Sequence, residues 1–208
     1  MPLNLQGNTE FTPYLKYNAK AGRFYVRFEG ATEETELQLP LGMAIDFPSI
    51  KTGYIKFGDS GPPIRKWDPS LSVEAPSPDP NDVKFRRGFQ VNVWISTKKA
   101  GLREFMSTAG VVCGPFMDMY AAWEAHGKPD EVPVYVCEGV EEVKQTNGTS
   151  YSPVFTLERW APRNKVPGFD TPITPRGPVH ASVAKPPIGA PVVSQEAASD
   201  YLEDDIPF

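Results

Sequence analysis

Strand alternation over residues 23–29 (RFYVRFE) would send Phe24, Val26 and Phe28 to one side and Arg23, Tyr25, Arg27 and Glu29 to the other. A tyrosine held between two arginines offers a flat π-surface for a nucleobase and cations for the phosphates on either side. Residues 87–96 (RGFQVNVWIS) repeat the arrangement, with Phe89, Val91, Val93 and Ile95 on the apolar side and Trp94 among Gln90, Asn92 and Ser96. Residues 53–57 (GYIKF) repeat it again, placing Ile55 and Phe57 inward and Tyr54 and Lys56 outward. Tyr25, Tyr54 and Trp94 are therefore stacking candidates, and Arg23, Arg27 and Lys56 are phosphate contacts. Arg86 and Arg87 before the Trp94 strand and Lys98 and Lys99 after it extend the basic set, as do Lys84, Arg103 and Arg65-Lys66-Trp67 if they converge. The competing reading makes the aromatics barrel caps and the cations a solvated rim, so the expectation turns on whether the three rings share one surface.

Other chemistry finds little support. Two histidines (His126, His180) and two cysteines (Cys113, Cys137) are too few and too scattered for a zinc site, an iron–sulfur cluster or a disulfide framework, so no metal or cofactor is expected. Both cysteines lie in apolar settings, GVVCGPF and VYVCEG, as small buried residues of a reducing compartment would. No paired carboxylates, phosphate-cradling glycine loop or nucleophile with its base stands out, and GDSG at residues 58–61 has no histidine nearby. The expected catalytic set is empty. The first residues lack a basic start followed by an apolar run, and no stretch approaches the ~18 apolar residues of a membrane span. These features point to a soluble cytoplasmic protein with no membrane partner. Asn147-Gly148-Thr149 matches a glycosylation acceptor in form, but Asn-Gly here reads as a tight hairpin turn.

The elements that must hold these residues are mostly short strands. Residues 23–29, 36–39, 53–57, 87–96, 132–138, 141–145 and 152–160 are aromatic or β-branched runs bounded by Gly, Pro and Asn. One helix is predicted from Pro115, a good first-turn residue, to Gly127, a good terminator, with Phe116, Met119, Tyr120 and Trp123 forming a core-facing stripe. Residues 59–84, rich in proline, read as a long loop insertion. This order predicts a mainly β fold: an OB-fold-like Greek-key barrel with one helix, or alternatively a two-layer sandwich.

Charge divides the chain. Residues 1–163 hold 18 Lys/Arg against 20 Asp/Glu, residues 164–195 hold three against one, and residues 196–208 carry five acids and no base. The net charge of −5 thus equals that of the tail alone, and a nearly neutral body is free to carry a basic face. Residues 164–195 contain seven Pro and three Gly with Phe169 as the single aromatic, and read as a disordered, semi-extended tether. The expected organisation is a binding domain at 1–163, a linker at 164–195 and an acidic tip at 196–208.

The chain ends Asp204-Asp205-Ile206-Pro207-Phe208. Following a Pro/Gly-rich linker, this ending resembles the acidic tip of bacterial single-stranded-DNA-binding proteins, and the longer body is similar to their divergent phage-encoded counterparts. The resemblance implies an OB fold, non-catalytic and sequence-independent binding of single-stranded DNA, and location in a bacterial cytoplasm. It also implies that Ile206, Pro207 and Phe208 dock on replication, recombination and repair proteins while Asp204 and Asp205 steer the tip toward basic pockets. Self-association is left open. Two rival readings are an adaptor whose body binds protein while the acidic tail recruits, and a DNA-processing enzyme with a similar tail.

Overall fold

A computed structural model describes residues 13–28, 31–58, 62–78, 81–82, 84–97, 100–146 and 148–169. Lys98, Lys99, Asn147 and the tip residues Asp204–Phe208 lie outside the described residues. The described chain is mainly β, with one helix on a strongly curled half-barrel sheet. Its elements are β1 (Tyr14–Asn18), β2 (Arg23–Arg27), β3 (Glu34–Leu37), β4 (Leu41–Lys56), β5 (Ile64–Trp67), β6 (Arg86–Ile95), β7 (Gly101–Ser107), α1 (Gly110–His126), β8 (Glu131–Gln145) and β9 (Gly148–Pro162). The sheet runs β3-β2-β1-β7-β6-β4-β8-β9, and β5 pairs with the far end of β4. Among these pairs β1 and β7 alone are parallel. The path β7-β6-β4-β8-β9, with α1 connecting β7 to β8, is compatible with an OB-type barrel.

Several expectations are corrected. The proline-rich stretch is not all loop, because β5 lies within it and pairs Gly53↔Trp67 through Lys56↔Ile64. A Cβ at Gly53 would stand 2.3 Å from the Lys66 carbonyl oxygen, so glycine is what lets β5 come this close. Residues 132–138 and 141–145 form one continuous strand, β8, which pairs antiparallel with β9 from Gln145↔Gly148, a hairpin at the expected place with Gly148 already in the strand. The helix starts five residues before Pro115. Pro115 has no N–H for the Val111 carbonyl four residues back, and the Ser152 hydroxyl donates to that carbonyl instead, at 2.8 Å. Gly127 ends the helix as expected, in the left-handed region at φ 71°.

The core lies between the inner face of the sheet and α1. Leu15, Phe24, Val26, Met43, Ile45, Val91, Val93 and Phe105 fill it, with Phe116 and Met119 entering from the helix and Tyr120 and Trp123 packed against it. An irregularity in β4 makes this docking work. Between the pairs Asp46↔Asn92 and Lys51↔Gln90, β4 advances five residues while β6 advances two. The surplus swings Phe47 fully under α1, 6.0 Å from Phe116 and 5.5 Å from Tyr120 between ring centroids. Ser49 bridges the gap by donating to the Asp46 carbonyl and accepting from the Asn92 N–H. At the other side of the barrel the β8–β9 hairpin meets the β1–β2 turn, where the Tyr151 N–H donates to the Ala19 carbonyl at 2.7 Å.

The body also extends past its predicted limit at residue 163. A 3-10 turn at Arg163–Lys165 leads into Val166 and Phe169, both buried in a second small cluster with Ala44, Val132 and Val134 on the outer face of the sheet. Arg163 locks this strap down through two hydrogen bonds to Asp46, at 2.7 and 3.0 Å. The linker therefore cannot begin at residue 164. A lone aromatic among prolines does bury itself here because β4, β6 and β8 present a preformed apolar patch to receive it.

Candidate nucleic-acid interface

The irregularity in β4 decides where the sequence-predicted aromatics point. Directly opposed residues of an antiparallel pair share a face, and the odd number of extra residues in β4 exchanges its faces beyond Lys51. Tyr54 therefore lies opposite Arg87, on the face that carries Phe89, whereas Trp94 lies opposite Ala44 on the outer face. Tyr25, opposite Lys16 and Glu36, is also on the outer face but belongs to β2, three strands from β6. By strand spacing it stands on the order of 20 Å from Trp94 along the sheet. The three rings do not share one surface.

Each ring has its own surroundings. Trp94 packs against the strap cluster of Val166 and Phe169. Tyr25 sits in a patch whose cations are already matched: Arg23 bonds Glu36 at 2.8 Å and Lys16 bonds Glu34 at 2.9 Å. Arg27 donates through Nε to the Ala31 carbonyl. Among the described residues neither region forms a continuous basic groove.

Tyr54, Lys56 and Arg87 do come together on one face where β5, β4 and β6 run side by side, whereas Arg86, opposite Ile55, lies on the other face. The Arg87 guanidinium lies over the Tyr54 ring at 5.0 Å. Beside them the Phe85 ring carries Lys66 at 4.9 Å and Lys56 at 5.5 Å. Two aromatic rings and three cations thus occupy one end of the sheet. Phe85 was missed as a stacking candidate, although its context, Lys84-Phe85-Arg86-Arg87, interleaves an aromatic with bases as such a site would.

Carboxylates hold these groups in place. Arg87 makes a forked pair with Asp68 at 2.7 and 2.8 Å. Arg87 foremost, then the Ala75 N–H and the Thr52 hydroxyl, stabilise the Asp68 carboxylate and bring its pKa down to about 2. The same pairing raises the pKa of Arg87. The Tyr54 hydroxyl donates to Glu74 at 2.6 Å, which raises its pKa. Lys56 bonds Asp82 at 2.7 Å and lowers that carboxyl. A phosphate arriving here meets guanidinium and ammonium groups that are oriented beforehand but must share or exchange an acidic partner.

An apolar groove of about 520 Å³ adjoins the cluster. Arg87 and Thr52 form its polar rim, Phe89, Phe116 and Tyr120 line it, and Leu71 and Met117 flank it, Met117 being 71% exposed. Among the described residues no group of three or more His, Cys, Asp or Glu side chains is placed to hold a metal ion, and no helix is long and apolar enough to cross a membrane.

Comparison of the chain with protein-family models, with curated proteins and with solved structures gave no match.

Proposed function

We propose that the protein binds single-stranded DNA without regard to sequence, through an OB-type barrel, and recruits replication, recombination and repair proteins through its acidic C-terminal tip. The observation that carries this reading is the pairing of rings with cations where β4, β5 and β6 meet: Tyr54 beneath Arg87, and Phe85 beside Lys56 and Lys66. Rings accept any base by stacking, while the cations follow the phosphates. The ending Asp204-Asp205-Ile206-Pro207-Phe208 supplies the second half of the reading through its resemblance to the tips of single-stranded-DNA-binding proteins.

The test is titration of the full chain with labelled oligonucleotides of mixed sequence at low salt, followed by salt addition. Single strands should bind with little base preference and with an affinity that falls as salt rises. Failure to bind at low salt, or stronger binding to duplex, would refute the DNA half. The tip is tested separately by deleting Phe208, which should leave DNA affinity nearly unchanged and abolish capture of replication and repair proteins. Retained capture would remove the tip from the proposal.

A further inference from the structure

Arg103 stands apart from the other arginines. It lies on β7 opposite Val93, on the inner face of the sheet, and is 8% exposed. Arg23, Arg65, Arg87, Arg159 and Arg163 each have a carboxylate within 3.2 Å. The comparably buried Arg163 has Asp46. Arg103 has no acidic partner among the described residues: one terminal nitrogen donates to the carbonyl of its own neighbour Leu102 at 2.7 Å, and its buried Nε donates to nothing. Burial without a counter-charge lowers its pKa. Arginine does not shed its proton in proteins, so this remains a cation that no carboxylate among the described residues neutralises.

The ring nearest this cation is Phe28, which follows β2, with its centroid 5.9 Å from the guanidinium carbon. A flat apolar ring beside an unmatched guanidinium is complementary to a nucleotide: the ring offers a face to a base, and the fork matches a phosphate oxyanion. Arg87 and Arg103 lie at opposite ends of the same inner row, since Val93, the partner of Arg103, is six residues beyond Arg87 on β6. At ~3.3 Å per residue the two are roughly 20 Å apart along the strand.

We propose that Arg103 and Phe28 form a second nucleotide subsite, separate from the Tyr54–Arg87 cluster, in which Arg103 takes a phosphate oxyanion of the bound strand. The phosphate displaces the neutral bond from Arg103 to the Leu102 carbonyl and provides the counter-charge that the described residues do not give it. Phe28 stacks on the attached base. This subsite rests on the single-stranded-DNA reading, and its chemistry makes a prediction opposite to that of a structural arginine. Replacing a buried cation that has no partner by an apolar side chain of similar length should leave stability unchanged or raise it while weakening the ligand.

The experiment uses the full chain and Arg103→Met, with two readouts. The first is the thermal midpoint in sodium phosphate against sodium chloride at matched ionic strength. Phosphate should raise the midpoint of the parent protein, and Arg103→Met should lose that rise while unfolding in chloride no earlier than the parent. The second is affinity for a mixed-sequence oligonucleotide, which should fall about tenfold, with a salt dependence shallower by ~0.7. If Arg103→Met does not fold, Arg103→Lys, which keeps the charge and loses the fork, should fold with a diminished phosphate response. The subsite is overturned if the variants keep the parent's phosphate response and oligonucleotide affinity, or if Arg103→Met and Arg103→Lys both fail to fold. Should the parent fail to bind oligonucleotides at all, the DNA reading falls, and the phosphate readout alone decides whether Arg103 is an oxyanion site.

Discussion

Two forked arginine–aspartate pairs do opposite work in this molecule. Arg163 and Asp46 meet on the outer face with side chains 11% and 2% exposed. Arg87 and Asp68 meet beyond the inner face with side chains 43% and 3% exposed. Bond lengths are nearly the same in both, 2.7 and 3.0 Å against 2.7 and 2.8 Å. Exposure separates them. Arg163, enclosed on the outer face with the Asp46 carboxylate, fastens the strap to the sheet. A guanidinium that is nearly half exposed and lies across a tyrosine ring keeps donors toward solvent, so Arg87 remains open to a ligand. Identical residue types at similar distances thus give a clamp in one place and a candidate contact in the other.

The largest expected effect would break the clamp. Arg163→Met leaves the Asp46 carboxylate, 2% exposed, without this cation, and should destabilise the protein by about 3–5 kcal/mol in urea unfolding. Arg87→Ala should cost less, on the order of 1 kcal/mol, because Asp68, though itself buried, keeps its bonds from the Ala75 N–H and the Thr52 hydroxyl. Equal losses at the two sites would erase the distinction. Next comes the strap itself. Ending the chain at residue 163 removes Val166 and Phe169 and should cost about 3 kcal/mol, with a red shift of Trp94 emission as its cover leaves. Ending it at residue 169 should cost little. A chain equally stable with either ending would return the body's limit to residue 163.

The same comparison ranks the aromatics. Tyr54→Ala should weaken oligonucleotide binding by ~1–3 kcal/mol. Trp94→Leu, made under the strap, should change stability without changing affinity. If Trp94→Leu is the variant that loses affinity, the strap must open when DNA binds and the outer face is the interface. Among the cations, Arg87→Ala should make the salt dependence shallower by ~0.7, one single-strand charge equivalent, whereas Arg23→Ala, facing Glu36 at the far edge, should leave it unchanged.

Much of this architecture was legible in the residues, and its failures have physical causes. Alternation in residues 23–29 and 87–96 identified the inward sets correctly, because β2 and β6 are regular through their described pairings. The same rule separated buried Ile55 from Tyr54, but it could not show that Tyr54 shares a face with Phe89 rather than with Trp94, because nothing in AIDFPSIKTGY announces how many residues β4 gains on β6. Pro48 and Ser49 are the visible signal, as a residue without an N–H and a hydroxyl able to replace the missing ladder bonds. The helix stripe was readable from spacing, but its start was not, since the residue that compensates for Pro115 lies 37 positions later, at Ser152. Phe169 was assigned to the linker because composition describes a segment and cannot see the patch waiting for it on β4, β6 and β8. Arg87 and Asp68, 19 residues apart, are joined only by the return of the chain through β5.

The smallest expected effect concerns pH and again distinguishes the pairs. Hydrogen bonds from Arg87 above all hold the Asp68 carboxyl at about 2, below the ~3.9 of an unfolded aspartate. A carboxyl lowered by folding stabilises the protein where it is ionised in both states. That contribution is therefore complete above about pH 5 and is lost as the pH falls through 4 toward 2. Solvent screening of the half-exposed Arg87 keeps it to the order of 1 kcal/mol. Asp82 and Glu131 are lowered as well, by Lys56 and His126, so acid weakening of the parent protein alone does not isolate Asp68. The difference between the parent and Asp68→Asn does, because asparagine does not titrate and the other carboxyls are common to both. Urea unfolding at pH 6 should show the parent more stable than Asp68→Asn by about 1 kcal/mol, and the gap should close by pH 2. A gap that persists unchanged at pH 2 would mean that Asp68 acts through its bonds to the Ala75 N–H and Thr52 rather than through its charge on Arg87. The open pair would then be a structural turn brace, and Arg87 would be held at this end of the sheet by Tyr54 and packing alone.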